Sequence, residues 1–249
     1  LPMAMASIFF HIKTAVTRRF YHDVSDKEGI RSNSVYSLLV DDRGAVWVGH
    51  FQAGLDYSLY QNGLFRTYAY PPLFNSANLS IRSFISRGQE KVIGSRDGLF
   101  YINEATGMVK SFVKPVLTSD LILTISFYQG EYYIGTYGGG MMVLNPETLS
   151  LKYFSQSDTE LFQKGHIFCV KPDTKGNLWI GTSQGLFNYN GQTKQIKHFT
   201  SANSQLPEGN VYEVSFDSTG KGWIATETGM CIYDPASQNL RSNVFLKDS

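Results

Sequence analysis

Cysteine is nearly absent: Cys169 and Cys231 are the only two in 249 residues. Two such residues make neither a disulfide framework nor a metal motif, and both sit in apolar runs that suit buried thiols. Charge is sparse as well, at 17% Asp, Glu, Lys and Arg, and it balances to +1. A near-neutral chain has no basic stripe for nucleic acid or for an anionic membrane surface, so neither is expected as a partner. No run approaches the ~18 uninterrupted apolar residues that span a bilayer, so no direct membrane insertion by this segment is expected. The apolar start, Leu1-Pro2-Met3-Ala4-Met5-Ala6-Ser7, lacks the basic leader of a signal peptide. The histidines (His11, His22, His50, His166 and His198) are scattered without metal-ligand spacing. No Gly-x-Ser-x-Gly, P-loop or Cys-x-x-Cys motif occurs. Catalytic residues, metal and cofactor are therefore all expected to be none.

What the chain has instead is repetition. Asp41-Asp42-Arg43-Gly44-Ala45-Val46-Trp47-Val48-Gly49 returns as Asp173-Thr174-Lys175-Gly176-Asn177-Leu178-Trp179-Ile180-Gly181. It returns again as Asp217-Ser218-Thr219-Gly220-Lys221-Gly222-Trp223-Ile224-Ala225. A small residue closes the second apolar run of each unit: Gly49, Gly94, Gly135, Gly181 and Ala225. A second column pairs Gly with Leu or Met: Gly54-Leu55, Gly98-Leu99, Gly140-Met141, Gly185-Leu186 and Gly229-Met230. Four of these five units place an aromatic at one fixed offset beyond that column: Tyr68, Phe112, Phe154 and Phe199. In a chain that is only 14% aromatic, chance does not produce that register. The same offset joins Ile8 to Tyr21 and exposes the second half of a further unit at the N-terminus.

Each unit reads as four short strands. In the first, Val35-Tyr36-Ser37-Leu38-Leu39-Val40 is apolar on both faces, which suits a strand sandwiched between sheets. A turn at Asp41–Gly44 follows, where Asp bonds its own backbone, and then comes the Trp47 strand. Val92 and Tyr133 occupy the Trp position in the second and third units, and Gly138-Gly139-Gly140 is expected to be the most flexible stretch. Four-stranded meanders at this period argue for an all-β fold, a β-propeller of four-stranded antiparallel blades. About five blades plus a half blade are expected, as an incomplete part of a larger propeller. The expected boundaries within a single propeller over 1–249 are 7–21 (half), 33–68, 79–112, 121–154, 165–199 and 209–245. Trp47, Trp179 and Trp223 should be buried between blades. The unpaired half blade and the weak last strand predict an open edge, and with it a possible homodimer.

The consensus Asp-x-x-Gly-x-Leu/Val-Trp-Ile/Val-Gly-Thr-x-x-Gly-Leu resembles the regulator-propeller repeat of two-component sensors. It is most similar to the extracytoplasmic region of hybrid two-component system histidine kinases from Bacteroides-type gut bacteria. Asn33-Ser34-Val35-Tyr36 and Gly209-Asn210-Val211-Tyr212 match the way that repeat begins its first strand. The resemblance implies a periplasmic ligand-sensing fragment. Its ligand would be an oligosaccharide, and its kinase would lie outside this chain. The other partners would be the remaining blades and domains of the receptor. The fragment itself is then no enzyme. A protein-interaction scaffold is the alternative reading, and a propeller polysaccharide lyase or glycosidase a more distant one.

Recurring columns serve the scaffold, so a binding site should sit where the units differ. In a meander, the loop after each second strand and the connector between units leave the same face. Those segments carry Phe51, Gln52, Arg96, Asp97, Tyr137, His166, Gln184 and Glu227. Arg96 and Asp97 offer a paired donor and acceptor for vicinal hydroxyls, and Tyr137 a ring for stacking. These two positions, Tyr137 and Arg96, are the leading candidates for ligand contact.

Overall fold

The computed structural model describes residues 8–11, 17–59, 64–68, 79–154 and 161–242. The chain is all-β, with five four-stranded antiparallel sheets of the propeller-blade type, and it divides into two compact units, Leu1–Val113 and Lys114–Ser249.

The first unit holds a two-stranded ribbon, β1 (Ile8–His11) and β2 (Thr17–Phe20), and two sheets. One sheet is β3 (Val35–Val40), β4 (Ala45–His50), β5 (Leu55–Leu59) and β6 (Phe65–Thr67). The other is β7 (Ile81–Arg87), β8 (Glu90–Ser95), β9 (Leu99–Asn103) and β10 (Met108–Phe112). The second unit holds three sheets. They are β11 (Ile122–Tyr128) to β14 (Leu151–Tyr153) through β12 (Glu131–Thr136) and β13 (Met141–Leu144). Next comes β15 (Ile167–Pro172) to β18 (Ile196–Phe199) through β16 (Asn177–Thr182) and β17 (Gly185–Asn190), and last β19 (Val211–Phe216) to β22 (Asn239–Ser242) through β20 (Gly222–Thr226) and β21 (Met230–Asp234). One helical turn, α1 (Leu161–Lys164), precedes β15 and buries Leu161 and Phe162.

Within each sheet the strands follow chain order, as a meander with short turns requires. The aromatic offset seen in the sequence is the closure of the third strand on the fourth. Leu99 faces Phe112 and Leu186 faces Phe199 across the ladder, and Tyr68 donates its amide to the Leu55 carbonyl at 2.8 Å. The glycine column has a steric cause, visible at Gly181. A side chain there would lie 2.7 Å from the Val211 carbonyl oxygen, where the next sheet's first strand crosses.

Where the second strand carries an aromatic at its middle, sheet packs on sheet through it. Trp47 lies 4.9 Å from Phe84 of the following sheet, and Trp179 lies 4.5 Å from Tyr233. Tyr133 fills the same slot against Phe154 in the core that also contains Tyr189. Trp47 and Trp179 are 3% and 1% exposed. Trp223 departs from the expected burial and is half-buried, since no sheet beyond β22 is among the described residues to cover it. The expectation for β3 also needs correcting. Leu38 and Val40 are 55% and 63% exposed, so one face of that strand is open, not sandwiched.

The Asp of each repeat does more than close a turn. One oxygen of Asp41 accepts the amides of Arg43 and Ala45, and the other accepts the Trp47 indole N–H at 3.0 Å. Asp173 does the same for Lys175, Asn177 and Trp179, again at 3.0 Å to the indole. Asp217 holds Thr219, Lys221 and Trp223 in the same way. The β7–β10 and β11–β14 sheets have tight turns, at Gly88-Gln89 and Gln129-Gly130, and have neither the Asp nor the Trp. Asp and Trp are present together or absent together because a buried indole N–H needs an acceptor.

Two outcomes follow. Trp47→Ala and Trp179→Ala should each destabilise the protein by about 3–5 kcal/mol in denaturant melts, with Trp223→Ala costing clearly less. Burial of the Asp41 carboxylate opposes its ionisation, but the bonds from Trp47, Ala45 and Arg43 outweigh it and hold its pKa low. Hydrogen bonds from Thr219 hold Asp217 low as well. A lowered folded pKa stabilises above the unfolded value of ~3.9 and is lost as pH falls through the folded value. Melting temperature should therefore drop as pH falls below about 4, and Asp41→Asn should flatten that dependence.

Candidate functional site

The loops after the second strands are fastened to the connectors, which fixes them at one end of each sheet. The amides of Phe51, Arg96, Tyr137, Ser183 and Glu227 donate to the carbonyls of Ser34, Ser80, Leu121, His166 and Asn210, at 2.9 to 3.2 Å. A hydroxyl one position earlier closes four of these loops. Ser95, Thr136, Thr182 and Thr226 donate to the carbonyls of Gly98, Gly140, Gly185 and Gly229. In the first sheet His50 stands there instead. It is fully buried, with Nε2 2.8 Å from Asp56, whose carboxylate also accepts from the Arg31 backbone and Nε.

In the first unit, Phe51 packs on Tyr36 at 5.2 Å, and the Arg82 guanidinium lies over the Tyr36 ring, 4.8 Å from its centre. Gln52 adopts φ 53° and donates its amide to Ser80 Oγ. Arg96 and Asp97 are both exposed, and among the described residues neither side chain has an ion-pair partner. In the second unit, Tyr137 stacks on His166 with ring centres 3.9 Å apart. His166 is followed by Phe168 at 6.2 Å and Phe168 by Tyr212 at 5.1 Å. Asn210 then donates to both the Tyr212 hydroxyl and Glu227. Gln184 is exposed, and its carbonyl lies 2.7 Å from His198 Nε2. Tyr137 and Tyr212 keep 49% and 44% of their surface open to solvent.

The glycine loop beside Tyr137 differs from the sequence expectation of flexibility. Thr118 Oγ1 donates to the Gly139 carbonyl at 2.6 Å, and the Gly139 amide donates to Thr136 Oγ1 at 3.0 Å. A Cβ on Gly139 would meet the Ser119 amide nitrogen at 2.8 Å. Close backbone approach, not mobility, is what requires glycine there.

Sequence reasoning missed the bulge column. The first strand of every sheet carries one extra residue against its partner, at Tyr36, Arg82, Leu123, Phe168 and Tyr212. A bulge turns a side chain out of the ladder, and bulges concentrate beside functional sites. Here it delivers Tyr36, Arg82, Phe168 and Tyr212 to the rim. Their only sequence signal is a second large residue directly after the first-strand aliphatic.

The described residues contain no group of three His, Cys, Asp or Glu able to hold a metal ion. Cys169 and Cys231 are buried, and burial pushes both thiols up to about 12. No helix among the described residues is long and apolar enough to cross a membrane.

A family model described as the two-component regulator propeller matches residues 29–52 and 162–184. Both spans run from the connector through the Asp turn and the Trp strand to the rim loop. These two stretches match the two-component regulator propeller repeat. No curated protein sequence matches this chain. Among solved structures, the extracellular domain of a putative hybrid two-component system from B. thetaiotaomicron is 24% identical, with a TM-score of 0.71 over 99% of this chain. A second such domain from B. thetaiotaomicron is 16% identical, with a TM-score of 0.69 over 97%. The chain spans about a third of each, 34% and 33%. An inactive virginiamycin B lyase from Staphylococcus aureus, solved with quinupristin, is 9% identical at a TM-score of 0.70, covering 95% of this chain and 76% of that one. At these identities the likeness is one of fold.

Thiol accessibility gives a direct check on the second unit's core. Ellman's reagent at pH 8 should label neither Cys169 nor Cys231 in the native protein and both after unfolding in guanidinium, since only a thiolate reacts.

Proposed function

We propose that this chain is part of the extracytoplasmic, periplasmic ligand-sensing region of a two-component sensor histidine kinase. It recognises an oligosaccharide at the rim and has no catalytic step of its own. The signal passes to a kinase outside this chain, through the remaining blades and domains and in a homodimer. The regulator-propeller repeats and the fold shared with extracellular domains of hybrid two-component systems support the setting.

The observation that carries the ligand class is the aromatic series Tyr137, His166, Phe168 and Tyr212, ending in the hydrogen-bonded Asn210–Glu227 pair. Sugar rings present apolar C–H faces and a rim of hydroxyls, so they suit aromatic faces interleaved with carboxamide and carboxylate. Tyr36, Phe51 and Arg82 repeat the combination in the first unit, beside Gln52, Arg96 and Asp97. Tyr137 stands pre-stacked on His166, which holds its ring without a binding-time loss of freedom.

Calorimetric titration of candidate oligosaccharides against the complete ectodomain tests this. Tyr137→Ala and Tyr212→Ala should each weaken a ligand held by the second unit about tenfold or more, and Arg96→Ala should weaken one held by the first unit. An oligosaccharide that binds wild type and all three variants equally would remove the rim from consideration.

A further inference from the structure

The opposite end of the second unit carries a cavity that exists in two copies, and the copies differ in charge. Each lies beside the aromatic of a second strand, between the outer strands of one sheet and the third-to-fourth-strand turn of the next. Each has a volume of about 340 Å³. The copy beside Tyr133 contains Gln129, Glu131, Val143, Lys152 and, from the next sheet, Lys194. The copy beside Trp179 has Lys175, Asn177, Asn188, Lys197 and Gln238 at the matching repeat positions.

The differences point one way. In the Tyr133 copy, Glu131 neutralises Lys152 at 3.2 Å. In the Trp179 copy the glutamate position is Asn177, and no carboxylate lines the cavity. Asp173, bonded to the lining residues Asn177 and Trp179, has both oxygens engaged, by Lys175 N, Asn177 and the Trp179 indole. Among the described residues, the exposed Lys197 and Lys175 donate to neutral oxygens, Gln238 Oε1 at 3.2 Å and the Pro235 carbonyl at 3.3 Å. Where the Tyr133 copy has Val143, the Trp179 copy has Asn188. Its Nδ2 is buried and has no hydrogen-bond partner among the described residues. A carboxamide lining beside two exposed cations that have no ion-pair partner among the described residues forms a site for an acceptor-rich anion.

We propose that the Trp179 cavity binds a small hydroxylated carboxylate. Lys197 and Lys175 take the carboxylate. The carboxamides of Asn188 and its neighbours in the lining take hydroxyls, which need a donor and an acceptor side by side. The Tyr133 copy cancels one of its lysines internally, and so it serves as the protein's own control. This site is at the turn end of the sheets, away from the rim loops, and stands independently of the oligosaccharide reading.

Calorimetry on the full chain tests the assignment with D-glucuronate and quinate, a sugar acid and a carbocyclic acid, against neutral D-glucose. At least one acid should bind, with glucose at least about tenfold weaker and affinity falling as salt is added. Lys197→Met should weaken the acid about tenfold or more, and Asn188→Val, which installs the side chain of the other copy, by several-fold. Unchanged melting temperatures of both variants keep the comparison about binding. Tyr137→Ala, at the rim, should leave acid binding intact. Failure of both acids to bind at about 10 mM, equal binding of glucose, or wild-type affinity in both cavity variants would overturn the proposal. Loss of acid binding in Tyr137→Ala would overturn it too, by moving the ligand to the rim.

Discussion

The bond from an aspartate in the first turn to a tryptophan six residues on is the interaction from which the rest of this architecture follows. A tryptophan is the largest side chain available to fill the wedge between two sheets that diverge from their inner edges. Its indole N–H cannot be buried without an acceptor, and a carboxylate in the adjoining turn supplies one. The same carboxylate closes the turn by accepting two backbone amides, so turn shape, indole position and inter-sheet spacing are set together. Where the turn shortens to two residues, the carboxylate has no place. The wedge is then filled by Val92, or by Tyr133, whose hydroxyl lies at the end of a longer lever.

That arrangement separates the two ends of each sheet. At one end the chain is committed to carboxylate-capped turns. At the other, loop amides are tied to connector carbonyls, and the side chains beyond those ties are left free of structural work. The bulge at the start of each first strand adds a second tier of side chains at this end. Tyr36, Arg82, Phe168 and Tyr212 reach the rim only because the ladder slips by one residue there. The turn end is nonetheless not uniform. Its backbone repeats, but the pockets behind the turns carry different charges in the Tyr133 and Trp179 copies.

The fold was legible in the chain because its constraints are local and recur. Strand alternation, the Asp-x-x-Gly turn and the aromatic closing strand each depend on neighbours within one repeat, and the Gly column recurs because the next sheet crosses at the same place each time. The rim was legible in outline, since Tyr137, His166 and Glu227 do lie where the differing loops emerge. Their pairing was not: Tyr137 meets His166 across two sheets, and no spacing in the sequence encodes a 3.9 Å stack. Trp223 was misjudged for the same reason, because burial of a repeated residue depends on whether another sheet follows it.

The sequence by itself determined that this is a repeat of four-stranded meanders, with scaffold columns and a variable end. Periodicity and turn chemistry need nothing beyond the nearest few residues. Only the tertiary structure decided which side chains act together. The bulges re-aim residues that alternation would bury, and the rigid glycine loop follows from a backbone approaching from another strand. The unneutralised Lys175 and Lys197 gain meaning only beside a cavity that two sheets form. Each depends on groups far apart in the chain coming within a few ångströms, and that distance is set by packing.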